Sequence, residues 1–334
     1  MTFSDAELSA AQEEMTRHGI RKRLELWTDV AIVAGALKRG IELQPSPKRH
    51  IVLRHAGKNF RWPEGLNVPL ARRATQLKEV TSRLLRSKGI NAPENAVFGP
   101  EDVARALAWA APIFPVVVKP FEANMGRGVH VNINNETSFR QAFSRVAADF
   151  GHVLVEDFAP GVEHRVLVVD YTVVAATRRV PANVVGDGEQ SVAELAEIKS
   201  QDLGRIHKKI VLDDMVADYL RRRGLSIDSV PAAGEQVFLR GTSNLHTGGD
   251  AVDATEQLKP EEIEFAERAA RAIPGLRLAG LDLLLPRGGQ GSEPSVLEIN
   301  PKPMISMHHF PREGTPRDAA GAILDVVFPS TRAQ

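Results

Sequence analysis

The chain has 334 residues, of which 43% are hydrophobic and 25% are charged, with 42 basic side chains balancing 42 acidic ones. This composition suits one large or two to three small globular domains with a substantial core, and the zero net charge gives no general attraction to nucleic acid or to a membrane surface. The sequence contains no cysteine, which excludes disulfides, zinc–thiolate sites and thiol catalysis.

Export and membrane insertion are not indicated. No run approaches the roughly 18 apolar residues of a membrane span. The first seven residues are acidic and are not followed by an apolar signal core. We therefore expect a cytoplasmic protein that has neither a membrane nor a nucleic-acid partner.

Residues 1–75 are expected to form a short N-terminal α/β domain. A helical pattern covers residues 6–38, and two strand-like runs follow at 40–43 and 50–54. Residues 57–60 are compatible with the turn of a small hairpin. This part contains no glycine-rich phosphate loop, and the motif G-x-x-x-x-G-K-[ST] occurs nowhere in the chain.

Residues 76–155 alternate helical and strand patterns and are expected to form a small subdomain. The predicted helices cover 76–87, 101–111 and 137–149, and the predicted strands cover 116–119, 129–133 and 153–156. The last helix has a clear pattern, since its apolar residues recur at helical spacing. They are Phe139, Ala142, Phe143 and Val146.

Residues 156–330 are expected to form a larger subdomain. A strand at 162–169 comes first, and a polar, arginine-rich and mostly helical insertion is predicted at about 186–236. A helix at 261–273 is opened by Pro260 and ended by the Pro-Gly pair that follows it.

Two apolar runs near the C-terminus predict a hairpin. Residues 281–285 and 296–300 are rich in strand formers, and a Gly/Pro-rich connection separates them. Side chains alternate across a strand, so Glu298 and Asn300 share one face of the second strand. Asp282 adds a carboxylate to the first strand. The hairpin therefore offers three oxygen-bearing side chains.

These three side chains are candidate ligands for a magnesium ion. A carboxylate on an apolar wall is costly unless it is paired, protonated or bound to a cation. Oxygen ligands without His or Cys fit Mg²⁺, which completes its shell with phosphates and water. Two strand-end carboxylates facing solvent are the alternative, and the hairpin alone does not decide between them.

A basic, glycine-rich stretch follows the strand at 116–119. Lys119 ends that strand, and Gly126, Arg127 and Gly128 come soon after it. Glycines let backbone N–H groups close on anionic oxygens, and the basic side chains add charge. Taken alone, the glycines are more typical of an ordinary hairpin turn than of a phosphate loop, and a basic helix face accounts for Lys78.

The segment 156–163 links two predicted strands. Its first residues, Glu156, Asp157 and Phe158, expose backbone groups that can bind an adenine edge. Glu163 at its far end can accept hydrogen bonds from ribose hydroxyls, as acidic residues do in dinucleotide folds. A polar turn with a solvated glutamate is the alternative.

The order of these features resembles the ATP-grasp superfamily of carboxylate–amine ligases. That family has a lysine at a helix start, a strand-end lysine, a glycine-rich loop, an acidic linker, a ribose glutamate, and an Asp with Glu-x-Asn for magnesium. The matching positions here are Lys78, Lys119, Gly126 to Gly128, Glu156 to Phe158, Glu163, Asp282, Glu298 and Asn300.

Longer motifs make the resemblance more specific. Residues 179–188, 229–234, 239–249 and 307–317 resemble the ATP-grasp module of cyanophycin synthetase, and the likeness is shared with the ATP-grasp half of bifunctional glutathione synthetases. The resemblance covers about residues 75–329 well and the first 75 loosely. Gly241 departs from it, because the cyanophycin-type motif often has a second arginine there.

The resemblance implies an α+β ATP-grasp fold in which two α+β subdomains clasp ATP, with one or two Mg²⁺ ions. The residues that would bind ATP are Lys78, Lys119, Gly126, Arg127, Gly128, Glu156, Asp157, Phe158 and Glu163. The residues that would bind the metal are Asp282, Glu298 and Asn300. Catalytic roles would fall to Lys119, Arg240 and Asn244, and the substrate would contact Arg240, Asn244, Thr247, Gly248 and Gly249.

The implied reaction is amide formation. A substrate carboxylate attacks the γ-phosphate of ATP, and an amine then displaces phosphate from the acyl phosphate. Amino acids or short peptides are the expected substrates, and the resemblance leaves room for a homodimer. Two other functions stay open: a phosphotransferase acting on a hydroxyl, and a nucleotide-binding module without chemistry. The intact metal trio argues against the second of these.

Overall fold

The computed structural model describes residues 2–20, 26–46, 50–122, 128–241, 243 and 245–332. The chain divides into two compact units. Unit 1 contains Met1–Arg72, His164–Leu281 and Asn300–Gln334, and unit 2 contains Arg73–Glu163 and Asp282–Ile299.

The described residues form mixed helices and sheets. The helices are α1 (Asp5–Arg17), α2 (Leu26–Lys38), α3 (Pro69–Gln76), α4 (Lys78–Ser87), α5 (Val103–Ala110), α6 (Glu136–Phe150), α7 (Val192–Gln201), α8 (Asp214–Arg221), α9 (Pro260–Arg271), α10 (Ser306–His309) and α11 (Ala319–Val327). The strands are β1 (Glu42–Gln44), β2 (Ile51–His55), β3 (Lys58–Trp62), β4 (Asn95–Phe98), β5 (Val116–Pro120), β6 (His130–Ile133), β7 (Val153–Asp157), β8 (Val162–Val169), β9 (Thr172–Val180), β10 (Asn183–Val185), β11 (Gln236–Phe238), β12 (Asp250–Asp253), β13 (Leu278–Leu285) and β14 (Ser295–Asn300).

Unit 2 is built on a four-stranded sheet in the order β4-β7-β5-β6, with antiparallel neighbours. One face of this sheet is covered by α5 and α6, and its core contains Val116, Val118, Val153, Val155, Phe139, Phe143 and Val146. Helix α6 begins where the Asn135 side chain accepts a hydrogen bond from the N–H of Ser138, and it ends at Gly151 with φ +83°. The opposite face of the sheet carries Lys119 and Glu156, which are described below.

Unit 2 also contains the second half of β13 and most of β14, which are neighbours in a sheet. The connection between α4 and β4 covers the edge of β14, because the N–H of Val296 donates to the carbonyl of Asn91 at 2.9 Å. The sequence-based prediction of paired strands carrying Asp282 and Glu298 therefore matches the structure.

Unit 1 contains a sheet in which β12, β9, β8 and β13 follow one another, and a three-stranded sheet of β1, β2 and β3. Strands β2 and β3 form a hairpin as expected, but its turn is at Ala56 and Gly57, and residues 58–60 of the predicted turn belong to β3. The predicted insertion at 186–236 contains α7 (10 residues) and α8 (8 residues), so most of it is not helical, contrary to the expectation, and the two-stranded sheet β10-β11 flanks these helices. It has its own apolar cluster, which includes Val184, Val192, Val216, Leu220 and Val237.

The first 72 residues do not form the separate compact unit that the sequence suggested. Helix α2 is buried on all sides, with residues 30–34 at most 2% exposed, so it must be covered from several directions. Its core is shared with later parts of unit 1, namely Leu167, Val169, Ala175, Leu278, Ala320, Ile323 and Leu324. Contacts this distant in sequence explain the grouping of Met1–Arg72 with His164–Leu281.

In the part of the chain that the structure describes, no helix is long and apolar enough to cross a membrane.

Candidate functional site

The site in unit 2 begins with a buried ion pair. In the antiparallel pairing of β5 and β7, Lys119 lies opposite Leu154 and Val117 lies opposite Glu156. Lys119 and Glu156 are therefore diagonal neighbours on one sheet face, within reach of long side chains. The Lys119 ammonium donates to the Glu156 carboxylate, and the two residues are only 8% and 3% exposed.

Lys78 joins this pair from the first residue of α4. Its side chain is half-buried, and burial lowers the pKa of its ammonium group, as does the positive charge of Lys119. The carboxylates of Glu298, Glu156 and Asp282 act in the opposite direction on the same pKa. Two ammonium groups and three carboxylates therefore act on one another in unit 2.

The balance of charge in this group is informative. Glu156 already neutralises Lys119 through the buried ion pair, which leaves Lys78 with the carboxylates of Asp282 and Glu298. With all five groups ionised the site carries one net negative charge. A polyphosphate would be repelled by that charge unless divalent cations bind with it.

A small cavity of about 20 Å³ lies beside these residues. Lys78, Glu156 and Glu298 line it, together with Asn95 and Ser82. Asn95 was not identified from the sequence. It begins β4 opposite Glu156, and this pairing brings it to the site, so only a prediction of strand register could have found it.

The predicted metal ligands lie on neighbouring strands. Asp282 in β13 is 5% exposed, whereas Glu298 in β14 is exposed. Asn300 ends β14, and its Oδ1 accepts a hydrogen bond from the N–H of Lys302 at 2.9 Å. Within the described residues no group of three or more His, Asp or Glu could hold a metal ion by itself. Asn300 belongs to unit 1. A magnesium ion would need further oxygen ligands, such as phosphate and water, besides the two carboxylates of unit 2.

The linker after β7 is more constrained than the sequence suggested. The N–H of Asp157 donates to the carbonyl of Glu94 at 3.0 Å, and the N–H of Phe158 donates to the carbonyl of Pro115 at 3.1 Å. These two donors are therefore not available to an adenine, which corrects the expectation that this segment exposes its N–H groups. Burial also raises the pKa of the Asp157 carboxyl.

Gly161 fixes the path of the same linker. It has φ +150°, and a Cβ there would lie 3.0 Å from the carbonyl carbon of Leu284. Glu163 follows as the second residue of β8 and is half-buried. The backbone of the linker is therefore packed against β13, and Glu163, the predicted ribose ligand, lies in unit 2 with it.

The glycine-rich stretch is described only in part. Gly126 and Arg127 lie outside the described residues, so their predicted role stays a prediction. Gly128 has φ +68°, and a Cβ there would lie 2.7 Å from the ring of Phe150 and 2.9 Å from Pro120. Local packing alone therefore requires glycine at position 128.

The predicted substrate residues belong to unit 1. Arg240 is 7% exposed, and its Nη2 donates to Asp213 at 2.7 Å and to the carbonyl of Val211 at 3.1 Å. Its buried Nε has no hydrogen-bond partner in the described part of the chain. Thr247 ends a short 3₁₀ turn (Leu245–Thr247), and Gly248 and Gly249 follow it as buried residues. Asn244 lies outside the described residues.

The motif at 307–317 has a structural role in unit 1. The N–H of Arg312 donates to the carbonyl of Ala251, and the N–H of Asp253 donates to the carbonyl of Glu313. Arg317 forms an ion pair with Asp253 at 2.6 Å. This segment therefore continues the sheet beside β12.

Comparisons with known proteins agree with this architecture. Residues 75–202 match the model of the RimK-like ATP-grasp domain. The chain is 35% identical to a cyanophycin synthetase of Trichormus variabilis over 92% of its own length and 36% of the relative. It is 32% identical to the glutathione biosynthesis bifunctional protein of Mannheimia succiniciproducens over 92% of its own length and 43% of the relative.

A solved structure gives the same result. The crystal structure of a bifunctional glutathione synthetase from Pasteurella multocida matches with a TM-score of 0.69 and 30% sequence identity, covering 91% of this chain and 43% of that one. The chain thus spans less than half the length of these relatives. The expected α+β class and ATP-grasp fold are confirmed: residues 75–202 match the RimK-like ATP-grasp domain, and the chain is homologous to cyanophycin synthetase and bifunctional glutathione synthetase.

Proposed function

We propose that the chain is an ATP-dependent carboxylate–amine ligase that joins amino acids or short peptides through an acyl phosphate and releases ADP and phosphate. The observation that carries this proposal is the group of two lysines and three carboxylates in unit 2. Homology to proteins named as synthetases supports it.

Lys78 and Lys119 bind the phosphate oxygens of ATP in this proposal. Burial disfavours the charged form of Lys78, so an anionic ligand that stabilises the ammonium group gains binding energy there. Glu156 holds the Lys119 ammonium at the sheet surface. Gly126, Arg127 and Gly128 are proposed to close over the phosphates with their backbone N–H groups.

The adenosine binds at the linker after β7. Because the N–H groups of Asp157 and Phe158 donate within unit 2, adenine is bound by the other polar groups of this linker. Glu156, Asp157 and Phe158 stay candidates through their carbonyls and side chains, and Glu163 accepts from the ribose hydroxyls.

The ligand set Asp282, Glu298 and Asn300 fits magnesium, because all three offer hard oxygen atoms and the site is short of positive charge. When bound, one or two Mg²⁺ ions would neutralise the phosphate oxygens during transfer. The protein's own part is to hold Lys78 and Lys119 in place before the nucleotide binds, so that little reorganisation is needed.

The carboxylate substrate is proposed to bind residues of unit 1. Asp213 fixes the orientation of the Arg240 guanidinium, whose Nε keeps a free donor in the described part of the chain. This donor suits an oxygen of a carboxylate or acyl phosphate. Asn244, Thr247, Gly248 and Gly249 complete the proposed substrate set.

The decisive experiment is a screen of paired amino acids and dipeptides with ATP and Mg²⁺, read out by phosphate release and by mass spectrometry of the products. The proposal expects ADP, phosphate and an amide for at least one pair. A phosphorylated product without amide indicates a phosphotransferase instead. ATP binding without ADP release for every acceptor indicates a binding module.

A further inference from the structure

Two consecutive residues of α7 hold the turn formed by Gly248 and Gly249. Lys199 and Ser200 lie near the end of this helix (Val192–Gln201). The turn lies some fifty residues further along the chain, yet each of the two side chains is linked to one end of it. All of these residues belong to unit 1.

The first link is an ion pair to Asp250, the residue directly after Gly249. Asp250 is 8% exposed and opens β12. Its Oδ2 accepts hydrogen bonds from the Lys199 Nζ at 2.6 Å and from the Asn183 Nδ2 at 3.1 Å. The Lys199 ammonium also donates to the backbone carbonyl of Asn183 at 3.0 Å. A buried carboxylate with these partners cannot move without leaving charges unpaired.

The second link is made through Ile210. The Ser200 hydroxyl accepts a hydrogen bond from the N–H of Ile210 at 3.1 Å and donates to the carbonyl of Ala196. Ile210 in turn packs against Gly248, where a Cβ would lie 2.7 Å from its Cγ1 and 3.0 Å from its Cα. Gly248 has φ +92°, so both its conformation and its surroundings require glycine.

The turn between these links presents a polar group. Gly249 is buried, and its N–H donates to no acceptor in the described part of the chain. Buried N–H groups are nearly always paired. A ligand oxygen would satisfy this donor, as the oxyanion of a carboxylate or an acyl group does at other backbone amides.

We propose that Lys199 and Ser200 are positioning residues that hold the Gly248–Gly249 backbone against the acyl oxygen of the carboxylate substrate. This inference rests on the proposed function, which places the carboxylate substrate at these glycines. Neither side chain contacts the substrate. Lys199 acts through Asp250 and Ser200 acts through Ile210, so the helical insertion is a support for the substrate site.

The test compares Lys199→Met with Lys209→Met as a matched control. Lys209 forms an ion pair with Glu197 on the same helix, but its side chain is 61% exposed, so this ion pair lies at the surface and not at the turn. Ser200→Ala removes the second link, and Lys199→Arg keeps the charge. Ser200→Ala and Lys199→Arg change few atoms and should fold. They therefore still test the inference if Lys199→Met does not fold.

The first measurement needs no ligand. Hydrogen–deuterium exchange of the peptide covering residues 245–252 is expected to become about tenfold faster in Lys199→Met and Ser200→Ala, since local opening controls exchange. Lys209→Met should exchange like the wild type, and Lys199→Arg should fall between. Unchanged exchange in both Lys199→Met and Ser200→Ala overturns the positioning role.

The second measurement uses the amino acid pair with the fastest phosphate release in the screen. The KM for the carboxylate substrate is expected to rise about tenfold in Lys199→Met, because misplacement of a substrate contact is costly, while the KM for ATP stays the same. If Lys199 has a purely structural role, Lys199→Met should lower the melting temperature without changing the KM for the carboxylate substrate. That result would count against the inference. Wild-type protein without phosphate release counts against the proposed function, and the exchange experiment still decides on the positioning.

Discussion

The Lys119 ammonium and the Glu156 carboxylate are diagonal neighbours on β5 and β7 and form a buried ion pair on the sheet face opposite the apolar core of unit 2. The lysine proposed to bind phosphate is thus neutralised before any ligand arrives. The same two side chains therefore contribute to the stability of unit 2 and to the proposed nucleotide site. Substitutions can separate these two contributions.

The first prediction concerns this pair. Lys119→Met and Glu156→Leu should each lower the free energy of unfolding by about 3–5 kcal/mol, because each leaves an unpaired buried charge. The double variant should recover most of that loss but still fail to bind ATP. Urea unfolding and titration calorimetry with MgATP measure the two effects. A double variant that binds ATP like the wild type would remove Lys119 from the nucleotide site.

The second prediction concerns the proposed metal ligands. Glu298→Gln should lower the rate of phosphate release by at least about 100-fold, since one charge-stabilising contact contributes on this order to phosphoryl transfer, and the circular dichroism spectrum should stay unchanged. Glu293→Gln is the matched control, because Glu293 is an exposed residue in the connection before β14. Undiminished activity in Glu298→Gln would exclude this residue from the metal site.

The third prediction tests the linker that is proposed to bind adenine. Gly161→Ala places a Cβ against the backbone of Leu284, which should lower the free energy of unfolding by about 1–3 kcal/mol and raise the KM for ATP. Gly57→Ala is the control, since Gly57 has φ +81° but no atom within 4 Å of the added Cβ. It should lower stability by about 1–2 kcal/mol without changing this KM. Equal KM values for ATP in the two variants would contradict the assignment.

The fourth prediction is a loss of stability in acid, caused by two adjacent histidines in unit 1. Burial lowers the pKa of His308 to about 3 and that of His309 to about 4. The His308 Nδ1 is hydrogen-bonded to the Thr177 hydroxyl at 2.8 Å, and the His309 Nε2 accepts from the N–H of Ala320 at 2.9 Å. Both imidazoles are therefore held neutral in the folded protein.

In the unfolded chain both histidines protonate near pH 6.5. The stabilisation from these groups is fully present above that pH and is lost as the pH falls from about 6.5 towards about 3. Near pH 5 the unfolded state binds about two more protons, so they contribute a slope of about 2.5 kcal/mol per pH unit to the free energy of unfolding.

Urea unfolding between pH 7.5 and pH 5 measures this dependence. His309→Gln keeps an acceptor for the N–H of Ala320. It should remove the contribution of about one proton from the slope, which is about half of it. The exposed His152 provides the control variant, His152→Gln. A slope that is the same in His309→Gln and in the wild type would show that His309 does not titrate on unfolding.

Local patterns predicted much of unit 2. Helix α6 was expected at 137–149 and is found at Glu136–Phe150, because its apolar residues face a single core. The strands of Asp282 and Glu298 were predicted from alternation within short runs. In both cases the information lies within about 15 residues, which is the range of helix and strand periodicity.

What the sequence could not predict depends on distant contacts. The pairing of Lys119 with Glu156 follows from the register of β5 and β7, and the link from Lys199 to Asp250 joins the insertion to β12. Residues 1–75 were expected to fold separately, and the structure differs because the burial of α2 depends on residues beyond position 164. Periodicity reports that a face is buried but not which segment covers it.

Unit 2 is assembled from two stretches of chain, Arg73–Glu163 and Asp282–Ile299. A gene fragment encoding only residues 75–202, the extent of the family match, would transfer both lysines to a new host protein and leave Asp282 and Glu298 behind. A fragment of that length therefore cannot carry the whole proposed phosphate site, which draws on both stretches of unit 2.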